Sequence, residues 1–346
     1  MQVNRADLLH SLRKVYPAIG INVLVPEFQC FHFQKDVIVA SDGVIIISSP
    51  LPEDFELECL IPGAPFLKFL ESLSDKEIEL KIDGDSLKVI SSKVESSFSI
   101  LKASKQLAPD LEGEVIEVGK DEVPLIRAFE FCQQGVSKDE TLGALCGVRI
   151  SDDTIFGCDR FRILKADSPI SGMNCSIPAK LVPILSRFMS QIDSIICRPE
   201  ENFGAILRDG TIISSTLLEG EYPNVGEYFP TEEDSFEELE FENHFLDILD
   251  RHIAFLKDVE ITDRILTISV SNDICEFRVV NPLLGEMKEE VDLSQAVSQD
   301  FSFQVDPVSF KSIAENSENL NLQYYKESGL LYYTDEKFHY LMRTAQ

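Results

Sequence analysis

Two periodic patterns of apolar and polar residues run through the chain. Five segments have an apolar pair followed, after two variable residues, by a further apolar residue, as in Leu8-Leu9-His10-Ser11-Leu12. This spacing places the apolar side chains on one face of a helix. The segments begin at residues 8, 66, 125, 181 and 245, and a weaker sixth copy runs from Pro307 to Ile313. The intervals of 56 to 64 residues therefore predict six repeats, each opened by a helix.

The residues after each helix alternate between apolar and polar. Between Ile78 and Ile82 the apolar positions recur at every second residue, and Asp83-Gly84-Asp85 then marks a turn before a second alternating run. Such runs predict antiparallel hairpins. A unit with one helix and a small sheet buries little surface, so pairing of units is favoured. We predict an α+β fold of three pseudo-equivalent domains, each made of two helix-plus-sheet units, at residues 1–113, 114–233 and 234–346.

The composition is that of a folded, acidic protein. The 346 residues carry a formal net charge of -29, and 44% of them are hydrophobic, so the acidity is expected on the surface of a folded chain. No apolar run approaches the roughly 18 residues that span a bilayer. These features predict a cytoplasmic protein.

Residue types that carry chemistry are scattered. The eight cysteines include no Cys-x-x-Cys pair, the five histidines share no metal-ligand spacing, and no phosphate-binding glycine motif is present. Buried thiols are therefore expected, with no metal site, no cofactor and no enzyme activity. A metal-dependent hydrolase using Ser151-Asp152-Asp153 is the enzymatic alternative, but these residues fit a hairpin turn better.

Basic residues are concentrated on the predicted helices. The position after each apolar pair lies opposite the buried face, and Lys68 and Arg127 occupy two of these positions. Ordinary helix-surface charge is one interpretation, and a positive face for a polyanion is the other. On the second interpretation the residues facing the polyanion are Lys14, Lys68, Arg127, Lys180, Arg187, Arg251 and Lys311.

Several short motifs resemble those of one family. Gly157-Cys158-Asp159-Arg160-Phe161-Arg162-Ile163 is similar to a Thr-Asp-Gly-x-Arg-Leu signature. Leu218-Glu219-Gly220-Glu221-Tyr222-Pro223-Asn224 is similar to a Gly-x-Phe-Pro-Asp/Asn turn. Leu145-Cys146-Gly147-Val148 and Tyr340-Leu341-Met342-Arg343 supply further matches. In order and spacing, over essentially the whole chain, these motifs resemble the bacterial sliding clamp, the beta subunit of DNA polymerase III.

The resemblance implies a homodimeric ring that encircles double-stranded DNA without reading its sequence. Helices would line the hole and sheets would form the outside, while the ring tethers DNA polymerase and a clamp loader, which places the protein at the nucleoid. The first and third domains would meet head to tail through Phe98, Ile100 and Phe255. Glu95 and Ser97 replace the basic residues usual beside this junction.

The resemblance also implies a cleft for short partner peptides of the Gln-x-x-Leu-Phe type. Arginine stems and aromatic rings suit such a pocket. Cys158 and Arg160 stand where the family has Thr and Gly, so partner preference is open. A plain hairpin, with Phe161 in the core and the arginines solvated, is the alternative. The residues carried over to the cleft are Leu145, Cys158, Arg160, Phe161, Arg162, Ile163, Pro223, Tyr228, Leu256 and Met342.

A second function remains compatible with the sequence. The chain has few basic residues, and the loop Ile19–Val23 lacks the arginine expected for DNA contact. A clamp-like acidic scaffold that binds proteins and does not load on DNA is therefore the alternative to a sliding clamp.

Overall fold

A computed structural model describes most of the chain. The described residues are 1–21, 24–101, 107–110, 113–117, 122–170, 172–198, 201–231, 233–241, 245–260, 264–315, 321–335 and 337–345. Asn22 and Val23, which belong to the loop that lacks an arginine, lie outside them.

Each of the six predicted helices is present in the described residues. The side chain of Asn4 caps the first helix by accepting a hydrogen bond from the Ala6 amide at 2.9 Å, and Pro183 occupies the first turn of the fourth. The prediction of six helical repeats is confirmed. The helices are α1 (Arg5–Val15), α2 (Gly63–Ser72), α3 (Glu122–Gln133), α4 (Val182–Phe188), α5 (Phe245–Phe255) and α6 (Pro307–Glu315).

The helical periodicity also predicts which residues are buried. Leu8, Phe66 and Leu249 are fully buried. The position after each apolar pair is exposed in the five clear repeats, as expected for the side opposite the core. These exposed positions are His10, Lys68, Arg127, Pro183 and Asp247.

Strands fill the chain between the helices. In chain order they are β1 (Gln2–Asn4), β2 (Cys30–Gln34), β3 (Val37–Ser41), β4 (Ile45–Pro50), β5 (Glu58–Pro62), β6 (Glu77–Asp83), β7 (Ser86–Ile90), β8 (Glu95–Ser99), β9 (Glu114–Glu117), β10 (Gly147–Asp152), β11 (Thr154–Cys158), β12 (Arg162–Asp167), β13 (Met173–Pro178), β14 (Ile192–Arg198), β15 (Asn202–Leu207), β16 (Ile212–Thr216), β17 (Glu237–Glu240), β18 (Leu266–Ser271), β19 (Ile274–Asn281), β20 (Gly285–Asp292), β21 (Phe301–Val305), β22 (Asn321–Tyr325), β23 (Leu330–Thr334) and β24 (Phe338–Arg343).

The contacts divide the chain into two compact units. The first comprises Met1–Arg127 and Met173–Glu219, and the second comprises Ala128–Gly172 and Gly220–Gln346. In the first unit an antiparallel sheet has the order β5-β2-β3-β4-β16-β15-β14-β9, and a four-stranded sheet has the order β1-β6-β7-β8. Gly84 forms the predicted β6–β7 turn with a φ of 61°, a conformation that glycine adopts without strain.

The second unit has a similar construction. One sheet runs β10-β11-β12-β24-β23-β22-β17, and a four-stranded sheet has the order β20-β19-β18-β21. Phe245 of α5 and Phe310 of α6 meet edge to face with ring centroids 5.4 Å apart, which joins the two helices through their apolar faces. Asp152 lies in the β10–β11 turn, so Ser151-Asp152-Asp153 forms a hairpin turn as predicted.

The cysteines agree with the prediction of buried thiols. All eight cysteines are free thiols, and every one except the partly exposed Cys146 is buried. The described part of the chain contains no group of three or more His, Cys, Asp or Glu side chains placed to hold a metal ion. No helix within it is both long and apolar enough to cross a membrane.

Candidate functional site

The signature motif forms the hairpin between β11 and β12. Asp159 organises it, because its Oδ1 accepts hydrogen bonds from the amides of Phe161 at 2.7 Å and Arg162 at 2.8 Å. Its Oδ2 accepts two further bonds from the Arg162 guanidinium, at 3.0 and 2.9 Å. Both carboxylate oxygens are therefore directed at the hairpin itself, and the paired charges fix its shape.

Phe161 lies at the exposed tip of this hairpin. Its side chain is 67% exposed, so the alternative that placed Phe161 in the core is wrong. Arg162 is not merely solvated either, since it is largely buried in its ion pair with Asp159. The Phe161 carbonyl accepts a hydrogen bond from the Arg343 amide at 2.8 Å, which joins the tip to the end of β24.

Strand register determines which signature residues share a surface. Residues directly opposite each other in neighbouring strands point to the same face of a sheet. One row across β11, β12, β24 and β23 consists of Cys158, Ile163, Leu341 and Tyr332, and we call it the apolar row. Cys158 and Leu341 are buried, whereas Ile163 and Tyr332 are half-buried and present apolar surface.

The other face of the sheet packs against helices. Arg162 pairs with Met342, and both point to this face. The Tyr340 hydroxyl donates a hydrogen bond to the Ser309 carbonyl of α6 at 2.9 Å. Met342 is only 2% exposed. Met342 and Ile163, which the resemblance assigns to one cleft, therefore lie on opposite faces of the sheet.

Residues 220–230, the covering segment, lie against the same face as the apolar row. The Phe229 ring centroid is 6.2 Å from that of Tyr332 and 6.1 Å from that of His339, and Lys165 Nζ lies 5.7 Å from it. A Cβ on Gly226 would lie 3.9 Å from the ring of Phe156, the β11 residue that pairs with Lys165. The covering segment thus crosses the neighbouring row on the same face of the sheet, which contains Phe156, Lys165 and His339.

The covering segment presents two of the predicted cleft residues to solvent. Tyr228 is 63% exposed, in the short helical turn Val225–Tyr228, and Pro223 is also exposed. Leu145 is half-buried at the end of a separate helical turn, where its carbonyl accepts a hydrogen bond from the Ser137 amide at 2.8 Å. Leu256 is fully buried just after α5, so its side chain offers no surface.

The titratable groups near the apolar row suit a binding surface better than a catalytic site. Burial, reinforced by the negative charge of Asp159, raises the pKa of the Cys158 thiol to about 12, so this thiol is not a nucleophile at neutral pH. Burial and the nearby charge of Lys165 hold the pKa of His339 below its ordinary value, and its Nδ1 lies 2.7 Å from the Tyr332 hydroxyl. The surface combines apolar area with fixed polar edges, as peptide-binding grooves do.

Two of the predicted DNA-facing cations share a groove in the first unit. Lys68 of α2 and Arg187 of α4 line this groove of about 670 Å³ together with Arg13 of α1. Arg13 is paired with Glu71 at 2.8 Å. Lys68, Arg187 and the exposed Arg127 form no ion pair with any other residue of the described ranges. These three cations remain available for an anionic ligand.

The other four predicted cations are already paired. Lys14 is buried in the first unit and bound to Asp209, and Lys180 is bound to Asp42. In the second unit Arg251 is bound to Glu289, and Lys311 lies 2.7 Å from Asp250 and 3.1 Å from Glu315. A cation with a carboxylate partner must give up that contact to reach a phosphate.

The residues predicted at the dimer junction lie on two separate elements. In the first unit Phe98 is on β8, the last strand of its four-stranded sheet, and Ile100 follows it. The Phe98 ring packs edge to face on Phe66 and Phe69, with centroids 5.4 and 5.1 Å away. In the second unit Phe255 is half-buried, and its carbonyl accepts a hydrogen bond from Asn281 Nδ2 at 2.7 Å.

Some candidate residues were missed by sequence reasoning. Leu341, Tyr332 and Phe229 belong to or cover the apolar row but are absent from the predicted cleft. Alternation along β24 indicates that Leu341 and Met342 face opposite ways, but only the pairing with β12 shows which of them joins Ile163.

The comparisons with known proteins agree with this construction. No family model matches the chain. A curated relative called beta sliding clamp, from Staphylococcus epidermidis, is 26% identical over 283 residues, covering 74% of this chain and 72% of the relative. The chain also matches the crystal structure of the DNA polymerase sliding clamp from Bacillus subtilis, with a TM-score of 0.85 and 18% identity. The match covers 100% of this chain and 98% of that one.

A second solved structure extends the likeness. It is a sliding clamp, DNA polymerase III subunit beta, from Bartonella birtlesii bound to griselimycin, with a TM-score of 0.85, 16% identity and coverage of 100% of this chain and 99% of that one. The resemblance to sliding clamps and the predicted α+β fold are therefore confirmed. The name of the curated relative, beta sliding clamp, describes a clamp and not an enzyme.

Proposed function

We propose that this chain is the protomer of a DNA sliding clamp that encircles duplex DNA as a homodimeric ring and tethers DNA polymerase to it. Three clamp domains, joined near residues 113 and 233, would form each half of the ring. The observation that carries the proposal is the match of the whole chain to sliding-clamp structures at a TM-score of 0.85. Such a ring needs no catalytic group, because closure around DNA holds the polymerase in place.

The unpaired cations support non-specific contact with DNA. Lys68, Arg127 and Arg187 are exposed on helices and would meet phosphates without fixing a register on the duplex. With a net charge of -29 for the chain, the rest of the surface repels DNA. This distribution suits a protein that slides along DNA.

The apolar row and the covering segment support partner binding. Ile163 and Tyr332 expose apolar area beside Tyr228 and Pro223 of the covering segment, within one compact unit. We assign the docking of short Leu-Phe peptides from the polymerase and the clamp loader to this surface. Burial of a Leu-Phe anchor supplies most of the affinity in such a groove.

A specific observation favours the scaffold alternative. Four of the seven predicted DNA-facing cations, Lys14, Lys180, Arg251 and Lys311, already have carboxylate partners. A DNA-facing surface on which only three of the seven predicted cations are free gains little from phosphate contacts and would depend on ring closure to stay on DNA. A clamp-like scaffold that does not load would show the same pairing.

Retention on circular DNA distinguishes the two functions. Labelled protein is incubated with a singly nicked plasmid, a bacterial clamp loader and ATP, and DNA-bound protein is separated by gel filtration. A sliding clamp co-elutes with the circle and is released when a restriction enzyme linearises it. Electron microscopy of the same protein is expected to show a dimeric ring. A compact monomer that never co-elutes with the circle would support the scaffold.

A further inference from the structure

Two cysteine sulfurs are in contact inside the first unit. Cys175 lies on β13 and Cys197 lies near the end of β14, 22 positions apart in sequence. The Cys197 Sγ donates a hydrogen bond to the Cys175 Sγ at 3.7 Å. We call these two side chains the buried dithiol.

The buried dithiol is shielded from solvent. Cys175 is 3% exposed and Cys197 is 4% exposed. Strand pairing places Cys197 opposite Phe203, and Phe203 opposite Ser215, in a row of buried side chains. We therefore expect only a small, neutral reagent to reach either thiol, during a local opening of the strand ends.

The contact distance suits the formation of a disulfide. A sulfur–sulfur bond is about 2.05 Å long, so the two sulfurs would approach each other by about 1.7 Å from their present separation. Rotation about the two Cα–Cβ bonds moves a sulfur by distances of this size. Once one sulfur is oxidised, the other already lies next to it. The second step is then intramolecular and faster than further oxidation of the first sulfur.

We infer that Cys175 and Cys197 are an oxidation site at which a peroxide converts the two thiols to a disulfide. The thiolate of one cysteine attacks hydrogen peroxide and breaks its O–O bond, which gives a sulfenic acid and one water. The sulfur of the other cysteine then displaces the sulfenic hydroxyl group, the sulfur–sulfur bond forms and a second water leaves. Together the thiols lose two electrons and two protons, and the peroxide takes them up.

A disulfide at this position would restrain the segment that carries α4. This segment contains Lys180 and the exposed Arg187. The cross-link would close it into a loop and remove conformations from the unfolded chain, which stabilises the folded protein. Oxidation should therefore make the first unit more resistant to unfolding. This effect holds for a sliding clamp and for a scaffold alike.

Peptide mapping of the full chain tests the oxidation site. The reduced protein is treated with hydrogen peroxide, denatured in the presence of iodoacetamide and digested with trypsin without reduction. Cleavage after Lys180 and Arg187 leaves Cys175 and Cys197 on separate peptides. We expect mass spectrometry to find these peptides joined, about 2 Da lighter than the sum of their reduced forms, and dithiothreitol to separate them.

Thermal unfolding tests the effect of the cross-link on stability. The oxidised wild type should melt about 5 to 10 °C above the reduced protein, and dithiothreitol should reverse the rise. Cys175→Ala and Cys197→Ala should each abolish the joined peptides and the rise in melting temperature. Cys59→Ala is the matched control, since Cys59 is also buried in the first unit, opposite Phe33 in the pairing of β5 with β2. It should keep both effects.

The wild-type peptide map alone decides whether the site exists, even if an alanine variant does not fold. Recovery of Cys175 and Cys197 on separate peptides, as alkylated thiols or as sulfinic acids, would overturn the inference. Linkage of either residue to a different cysteine would also overturn it. Joined peptides with an unchanged melting temperature would support the oxidation site and overturn its stabilising effect.

Discussion

Ile163 on β12 and Leu341 on β24 lie directly opposite each other and point to the same face of their sheet. Their neighbours Arg162 and Met342 form the next pair and point to the other face. A shift of one residue in this pairing would exchange the two sets of side chains. The register therefore decides which residues offer apolar surface to a partner and which ones stabilise the core.

The first prediction separates these two roles. Ile163→Ala should lower the affinity for a Gln-Leu-Ser-Leu-Phe peptide at least tenfold, since a buried anchor contact is worth about 2 kcal/mol. Its melting temperature should change little, because Ile163 is only half-buried. Calorimetric titration and thermal unfolding measure the two effects.

Met342→Ala is the control for that experiment. Met342 is buried on the helix-facing side, so its truncation should cost about 2 to 5 kcal/mol of unfolding free energy and leave peptide affinity of the folded protein within about twofold. The assignment of the apolar row would be wrong if Met342→Ala abolished peptide binding and Ile163→Ala did not.

Local pattern was sufficient to predict the helices and hairpins. The apolar pair that opens each helix repeats along the chain, and Gly84 and Asp152 mark turns by their own conformational preferences. The cleft was harder, because its residues come from separate elements. The burial of Leu256 and Met342 follows from packing and register, which a single strand's sequence does not specify.

The charged residues show a similar limit. Helical periodicity correctly placed Lys68 and Arg127 on exposed positions. It could not show that Lys14 is buried against Asp209, because these residues are 195 positions apart in sequence. Long-range ion pairs depend on which turn meets which helix, and no local pattern carries that information.

The second prediction concerns the dimer junction. Phe98→Asp should convert a dimer to monomers, because it would bury a charge at the edge strand β8. Light scattering coupled to gel filtration at micromolar concentration measures the mass. Phe69→Ala is the control, since it removes the ring packed against Phe98 without placing a charge on the strand. A folded Phe98→Asp protein that remained dimeric would place the junction elsewhere.

The third prediction concerns the free cations of the first unit. Combined Lys68→Ala, Arg127→Ala and Arg187→Ala changes should weaken DNA binding and lower the slope of log affinity against log salt by about 0.9 per lost phosphate contact. Fluorescence anisotropy of a labelled duplex at several salt concentrations measures the slope.

Lys14→Ala provides the comparison for the third prediction. The substitution would leave Asp209 without its buried cation, so the free energy of unfolding should fall. The slope of log DNA affinity against log salt should stay constant. An unchanged slope in the triple variant would exclude Lys68, Arg127 and Arg187 from the DNA-binding surface.

The last prediction is a loss of stability in mild acid. Burial and then the Lys165 charge lower the pKa of His339 below its ordinary value of 6.5, so the unfolded chain takes up a proton before the folded one does. The stability that neutral His339 contributes is fully present above pH 6.5, and it is lost as the pH falls toward the lower pKa that His339 has in the folded state. Urea unfolding of His339→Gln should therefore show a smaller drop in midpoint between pH 7.5 and pH 5.5 than the wild type. Tyr332→Phe removes only the hydroxyl that contacts His339, so it should keep the wild-type drop in urea midpoint. Equal drops in wild type and His339→Gln would assign the acid sensitivity to another group. His32 would be the next residue to test, because burial also lowers its pKa.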